Sequence, residues 1–540
     1  MTDSMQQMAL DTLGAYFGYT SFRPGQDRMV DAILAGRDAL GVMPTGAGKS
    51  ICYQVPALML PGITFVVSPL LSLMEDQTRA LLAAGARPSY LNSSLTPAQQ
   101  NTVLKRAREG RYQLMYVAPE RLLEPRFLAF AQEAAAEGGI GVPLVAIDEA
   151  HCVSQWGQDF RPAYLQIREF IDSLPQRPIV AAFTATATER VRADIQQMLG
   201  LQNPATVVTG FDRKNLYFGC EEMGDKAKTA WVRDYVIAHS GESGIVYCST
   251  RKTVDALAGE LAEALGPSGI RVGRYHAGMG NDARRQSQRA FIDDDIQVMV
   301  ATNAFGMGID KPNVRFVIHY NMPKDLESYY QEAGRAGRDG QPARCTLLYS
   351  GTDVRTIRFF IDKEREADNG LPADVKAEAA RKAEERLKYM TFYSTTQHCL
   401  RGFLLQYFGE AAPKKCGNCS CCLAAEQEAQ LQVEYARCRA AQSADRLEKP
   451  RRAKPAAAGS LSEADEKLLN ALYAVRKRLA GKQNLPAFMV FNDATLREMA
   501  EKKPMSIDEL LNIGGVGEKK AARYGNAFLR VIEDAVGSRE

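Results

Sequence analysis

Short apolar runs bounded by turn formers recur along the first 350 residues, and no other feature narrows the fold as much. The first stretch holds Ala39-Leu40-Gly41-Val42-Met43, Thr64-Phe65-Val66-Val67-Ser68, Leu114-Met115-Tyr116-Val117, Leu144-Val145-Ala146-Ile147 and Ile179-Val180-Ala181-Ala182-Phe183. A second stretch repeats the theme with Gly244-Ile245-Val246-Tyr247-Cys248, Gln297-Val298-Met299-Val300-Ala301 and Arg315-Phe316-Val317-Ile318-His319. A strand with one wet face alternates apolar and polar residues. A strand that is apolar throughout is covered on both faces, as in a parallel sheet flanked by helices. Helical patterns lie between the runs, so the spacing predicts two α/β domains, 1–207 and 208–350.

The whole chain, at 540 residues, is too long for one core and calls for three or four domains. Residues 351–425 are helical and charged and end in a cysteine cluster. The stretch 426–459 is rich in Ala, Gln, Glu, Lys and Arg, lacks core-forming periodicity after Tyr435, and reads as a linker. Residues 460–540 look globular and all-helical. A net charge of +3 is close to neutral for this size, so a nucleic-acid partner has to be argued from local sites. No apolar run approaches the roughly 20 residues that span a bilayer, and Met1-Thr2-Asp3-Ser4 lacks a signal-peptide layout. The expected setting is cytoplasmic, with no membrane partner. Most of the eleven cysteines are scattered in apolar runs, where buried thiols are expected. Cys416, Cys419, Cys421 and Cys422 are the exception, and their spacing suggests a metal.

The first apolar run leads into Pro44-Thr45-Gly46-Ala47-Gly48-Lys49-Ser50. Glycines let backbone N–H groups curl round phosphate oxygens, and the helix that follows offers its positive end. Lys49 can bring a point charge to the β- and γ-phosphates, with the Ser50 hydroxyl on Mg²⁺. Met43 stands where the strict phosphate-loop pattern has its first glycine. Another run, Leu144–Ile147, ends in Asp148-Glu149-Ala150-His151. A carboxylate at a strand's C-terminal edge is where Mg²⁺ needs a partner, so Asp148 is expected on Mg²⁺ through water and Glu149 on the attacking water. In the second domain, Arg335 and Arg338 of Gln331-Glu332-Ala333-Gly334-Arg335-Ala336-Gly337-Arg338 are spaced to share one face of a helical turn. Guanidinium groups there can neutralise charge on a γ-phosphate. ATP would bind between the domains, and its hydrolysis would open and close the cleft.

With these motifs in place, residues 1–425 resemble superfamily 2 helicases, and specifically the RecQ family of DNA helicases. Phe22-Arg23-Pro24-Gly25-Gln26 looks like the family's adenine-reading segment. The resemblance implies that Gln26 bonds the base and that Tyr19 and Arg23 sandwich it. Thr45, Gly46 and Gly48 would hold phosphates. Ser68-Pro69-Leu70 and Ala118-Pro119-Glu120-Arg121 look like strand-tracking loops, and Thr184-Ala185-Thr186-Ala187 like the element coupling hydrolysis to movement. Tyr275-His276-Ala277-Gly278 and the segment from Ala301 through Thr302 and Asp310 to Pro312 look like second-domain motifs. They imply DNA contact at His276 and Thr302 and nucleotide contact at Asp310. The resemblance also implies a RecA-like fold for both motor domains.

Ser154-Gln155-Trp156-Gly157-Gln158-Asp159-Phe160-Arg161-Pro162 is the sharpest match, although Gln158 stands where the family pattern has His. Trp156 and Phe160 can stack on bases and Arg161 can reach phosphate. Core packing is the competing use of the aromatics, and the polar neighbours favour a wet loop. The RecQ arrangement implies a structural Zn²⁺ on Cys399, Cys416, Cys419 and Cys422. Cys421 is then spare, a swap of Cys421 with Cys422 stays open, and an iron–sulfur cluster is the rival group. Residues 460–540 resemble the HRDC domain, a small helical nucleic-acid-binding bundle. There Phe488 stands where the family has a base-stacking aromatic, with core packing the alternative. Gly515, Val516 and Gly517, with Lys519 and Lys520, can meet a phosphate or simply turn between helices. The winged-helix domain that follows the zinc site in many RecQ proteins has no counterpart in 423–459.

The resemblance implies an ATP- and Mg²⁺-dependent helicase moving 3′ to 5′ on single-stranded and tailed duplex DNA. It also implies a bacterial, nucleoid-associated monomer that unwinds DNA in repair, recombination and replication, with single-strand-binding or repair proteins as partners. Three other functions stay open: an RNA helicase, a DNA-stimulated ATPase or translocase, and a strand-annealing protein that unwinds weakly.

Overall fold

A computed structural model describes residues 3–69, 71–154, 161–306, 311–367, 373–427, 463–483, 487–517 and 520–537. The first domain is built on a seven-stranded sheet of β1 (Ala39–Val42), β2 (Thr64–Val67), β3 (Pro88–Leu91), β4 (Leu114–Val117), β5 (Leu144–Ile147), β6 (Ile179–Thr184) and β7 (Ala205–Val208). The order is β3-β4-β2-β5-β6-β1-β7, and every pairing is parallel. In β2, Phe65 and Val67 enter the core on one face and Val66 enters the core on the other. That is the two-sided burial the continuous apolar runs call for. Phe65 meets the Phe127 ring edge-on at 5.2 Å, with Phe130 and Phe170 alongside. Burying each such ring contributes about 1.5–3 kcal/mol.

Between Val208 and Leu216 the chain passes to a six-stranded parallel sheet. It contains β8 (Leu216–Glu222), β9 (Ser243–Tyr247), β10 (Val272–Tyr275), β11 (Val298–Ala301), β12 (Val314–His319) and β13 (Ala343–Tyr349), in the order β10-β11-β9-β12-β13-β8. Five strands have no counterpart among the apolar runs: β3, β7, β8, β10 and β13. Four of these are sheet edges, where one side is open and polar residues such as Ser89, Thr206, Arg274 and Glu221 are tolerated.

The helices Gly351–Glu366 and Ala373–Thr395 form a hairpin after β13. The hairpin shares its core with the second sheet, and the Tyr393 hydroxyl meets that of Tyr329 at 3.1 Å. Past the segment 428–462, which lies outside the described residues, come the helices Glu463–Gln483, Ala487–Val490, Asp493–Lys502, Ile507–Leu511 and Asn526–Gly537. They bundle around Leu472, Phe491, Phe528 and Ile532.

Candidate nucleotide site

The phosphate loop folds as its glycines allow. Gly48 has φ +80°, and a β-carbon there would lie 2.5 Å from the Gln26 amide nitrogen. Only glycine fits that conformation and that approach. The helix Lys49–Met59 starts at once and aims its N-terminus at the loop. Met43 sits in the core beneath, its sulfur 3.7 Å from that of Cys52, so its departure from the strict pattern falls on a packing position. Arg23 donates to the Gly46 carbonyl at 2.6 Å. Gln26 donates to the carbonyls of Ala47 and Gly48 at 2.9 and 3.0 Å. Here the amide group braces the loop, and a base would have to exchange with those carbonyls to be read by it. Tyr19 is 40% exposed and lines the same cavity as Arg23.

Asp148 and Glu149 leave the end of β5 beside this loop. The Asp148 N–H donates to the Val67 carbonyl at 2.9 Å, and the Tyr164 hydroxyl donates to the Asp148 carbonyl at 2.9 Å. Glu149 holds a left-handed φ of +48°, a conformation that costs a non-glycine residue about 1–3 kcal/mol. It brings a Glu149 carboxylate oxygen within 3.3 Å of His151 Nδ1, which also meets Thr184 Oγ1 at 2.8 Å. His151 thus lies between the Glu149 carboxylate and the Thr184–Ala187 segment. Burial, then the neighbouring Glu149, pushes the Asp148 carboxyl up to about 7, with Lys49 opposing. Burial lowers Lys49, against the pull of Glu149 and Asp148. The Ser50 hydroxyl and Asp148 carboxylate are oxygen donors of the kind that Mg²⁺ takes.

The second domain closes the cleft. Its helix Leu326–Ala333 ends before the arginines, so Arg335 and Arg338 sit on the turn that follows and not on a helix face. A β-carbon at Gly46 would lie 3.2 Å from Arg338 Cγ, and one at Gly334 would lie 3.2 Å from Thr45 Cβ. Loop and turn are therefore in contact across the domain boundary. Arg335 donates to the Gly306 carbonyl. Gly306 must be glycine, because a β-carbon would strike Arg335 Nε at 2.5 Å. One cavity of about 540 Å³ is lined by Lys49, Ser50, Asp148, Glu149, Arg335 and Arg338 together.

The sulfurs of Cys399, Cys416, Cys419 and Cys422 all lie within 4.8 Å of one another. A tetrahedral zinc with Zn–S bonds of about 2.3 Å sets its sulfurs about 3.8 Å apart, so the four fit one ion, and a multi-iron cluster would hold them farther apart. Backbone N–H groups of Gly402 and Asn418 donate to the Cys399 and Cys416 sulfurs, both at 3.3 Å. Cys421 turns away to the Thr396 carbonyl at 3.4 Å, so the four-sulfur group includes Cys422 and not Cys421.

Four family models match in order: the DEAD/DEAH box helicase over 23–195, the helicase conserved C-terminal domain over 227–340, RecQ zinc-binding over 351–423 and the HRDC domain over 465–532. The ATP-dependent DNA helicase RecQ of Bacillus subtilis is 40% identical, with 98% of this chain and 99% of that protein aligned. The chain belongs to the RecQ family. Its relative in Pasteurella multocida is 36% identical, over 98% of this chain and 94% of that one. Among solved structures, the DEAD-box helicase Mss116 bound to ssRNA superposes with a TM-score of 0.54 at 16% identity, covering 71% of this chain and 80% of that one. That similarity supports the two RecA-like domains as a fold.

Against the RecQ pattern, the strand-facing residues are less open than the resemblance suggests. Ser68, His276 and Thr302 are 0%, 6% and 8% exposed. His276 Nε2 lies 3.1 Å from an Asp255 carboxylate oxygen, and its Nδ1 accepts the Gly278 N–H at 3.1 Å. Arg161 donates to the Pro69 carbonyl at 3.3 Å, joining the aromatic loop to the Ser68 loop. Trp156, Phe160 and Asp310 lie outside the described residues, as does the side chain of Phe488.

Docking of the HRDC bundle had no signal in the sequence. A β-carbon at Gly18 would lie 2.8 Å from the Gly517 nitrogen, so two glycine backbones touch. Gly517 is occupied by protein and not held open for a phosphate. Lys477 pairs with Asp295 of the second motor domain at 2.9 Å, so the bundle touches both halves. Asn492, Lys520 and Tyr524 line the nucleotide cavity, and burial lowers the Lys520 ammonium to about 8. Glycine pairs and lone lysines carry no pattern that reports a distant partner.

Proposed function

We propose that this chain is an ATP- and Mg²⁺-dependent DNA helicase of the RecQ type, moving 3′ to 5′ along single strands to part tailed duplexes. The observation that carries the reading is the single cavity shared by Lys49 of one motor domain and Arg338 of the other. In this reading Lys49 holds the β- and γ-phosphates, Ser50 and Asp148 hold Mg²⁺, and Glu149 orients the attacking water. Arg335 and Arg338 meet the charge that develops as the γ-phosphate leaves. Tyr19, Arg23 and Gln26 serve the base. Mg²⁺ supplies charge neutralisation on the phosphates, and Zn²⁺ on the four cysteines keeps the helical subdomain folded.

The domains are taken as 1–207 and 208–350 for the motor, 351–425 for zinc, 426–459 as linker and 460–540 as HRDC. The Bacillus subtilis alignment spans 607 positions against a chain of 540 residues, so that relative carries segments facing gaps here. This agrees with a missing winged helix and favours modest strand separation beside a robust ATPase. No helix among the described residues is long and apolar enough to cross a membrane.

Hydrolysis with single-stranded DNA, with single-stranded RNA and with neither separates the readings. DNA should raise kcat well above RNA, and a duplex with a 3′ tail should be opened in preference to one with a 5′ tail. Equal or greater stimulation by RNA would overturn the DNA assignment. DNA-stimulated hydrolysis with no strand separation would leave a translocase or annealing protein.

A further inference from the structure

Between β7 and β8 the chain crosses from one motor domain to the other, and Arg213 stands in that crossing. Its guanidinium has four terminal N–H groups, and four backbone carbonyls receive them. Nη1 donates to Thr45 at 2.6 Å and to Gly334 at 3.2 Å. Nη2 donates to Ala336 at 2.9 Å and to Gly337 at 2.8 Å. Thr45 opens the phosphate loop of the first domain. Gly334, Ala336 and Gly337 form the turn that carries Arg335 and runs directly into Arg338.

We propose that Arg213 is a positioning residue for hydrolysis: a hinge-borne guanidinium that sets the distance between the phosphate loop and the arginine turn. This rests on the ATPase reading above and adds to it the part that assembles the two halves of the site. A planar fork with fixed donor directions can serve four carbonyls at once, and an ammonium on a flexible stem cannot. Three of the bonds belong to the second domain and one to the first. Arg213 therefore travels with the arginine turn and makes a single detachable contact with the phosphate loop. Asn215 strengthens the same side, donating to Gly337 at 2.9 Å and Gln341 at 2.8 Å.

The hinge is itself held from the zinc subdomain. Arg401 donates to Asp212 at 2.6 Å, to the Arg213 carbonyl at 2.7 Å and to the Leu216 carbonyl. Glu410 accepts the Phe211 N–H at 2.7 Å, and the Phe211 ring stacks on Phe408 at 4.4 Å. Arg401 lies on the helix Leu400–Tyr407, whose N-cap is Cys399. A continuous series of contacts thus runs from the zinc ligands to the arginine turn.

Arg213→Lys is the direct test, with Lys214→Met beside it because Lys214 is an exposed neighbouring cation. Steady-state hydrolysis gives kcat and KM for ATP, a fluorescent ATP analogue gives affinity, and thermal melting gives stability. Arg213→Lys should lower kcat about 10–100-fold while KM and analogue affinity stay close to wild type. Lys214→Met should match wild type in all three. Arg213→Gln, neutral and too short to reach the four carbonyls, carries the same expectation should the lysine fold poorly. A variant kcat within twofold of wild type, or a rise in KM with kcat unchanged, would overturn the inference. Wild-type hydrolysis, measured in parallel, tests the ATPase reading itself, and the variant-to-wild-type ratio tests the role of Arg213.

Discussion

Lys49→Ala is expected to remove ATP hydrolysis almost completely, with a fall in kcat of at least about a hundredfold. The lysine faces the carboxylates Asp148 and Glu149, with Arg338 pressing from the other domain. Its removal takes away the point charge nearest the expected γ-phosphate and leaves two acidic groups with less compensation. Folding should survive, because burial already penalises this ammonium and its loss relieves that cost. A melting temperature near wild type, retained single-strand binding and background strand separation together make up the expected result. Strand separation at the wild-type rate in this variant would remove the motor account altogether.

Removing zinc should have the second large effect. Structural zinc in zinc-finger peptides binds with about 10–16 kcal/mol at neutral pH, free energy that goes into folding and exceeds what a small helical subdomain holds in reserve. Cys419 is the most telling ligand. It is fully buried, and its backbone bridges to Phe218 on β8, so its loss reaches the second motor sheet. Cys419→Ser, or treatment with a strong chelator, is expected to abolish the metal signal, expose the subdomain to protease and lower ATPase with it. The last effect follows because Arg401 and Glu410 would leave the hinge. Cys421→Ser should keep full zinc content, since its sulfur bonds the Thr396 carbonyl instead. Zinc content is read by metal analysis and folding by limited proteolysis. Chelation that strips the metal while leaving the fold intact would contradict the structural role.

Much of this was legible because the chemistry sits in contiguous segments. Pro44 to Ser50 is a single turn of chain, so its residues stay neighbours in any fold that forms the turn. Asp148 follows an apolar strand that pairs with β6, and β6 pairs with β1, so the ends of β5 and β1 open on the same edge of one parallel sheet. Most strands buried on both faces announced themselves, the interior β13 excepted, while edge strands such as β10, with Gly273 and Arg274, did not, because half-open positions accept polar residues. Gln26 was read as a base ligand from its motif; that its amide also braces the phosphate loop was not legible, because the curled path at Gly48 is what brings the loop carbonyls to it. Arg213 was invisible for a deeper reason. All its partners are backbone carbonyls, which every residue possesses, drawn from segments near 45 and 334–337, so no side-chain pattern records them. The HRDC docking was hidden in the same way, since it depends on two glycines lacking β-carbons at one meeting point.

The central claim is that one bound nucleotide is held from both motor domains. Hydrolysis by Arg338→Ala at saturating ATP and single-stranded DNA, with binding of a fluorescent ATP analogue measured on the same sample, tests it most directly. Near-normal analogue binding is expected, with kcat lower by about 10³-fold or more, because the arginine acts on charge that develops only as the γ-phosphate leaves. Wild-type kcat in that variant would mean that the second domain takes no part in the chemistry, and the account would be wrong.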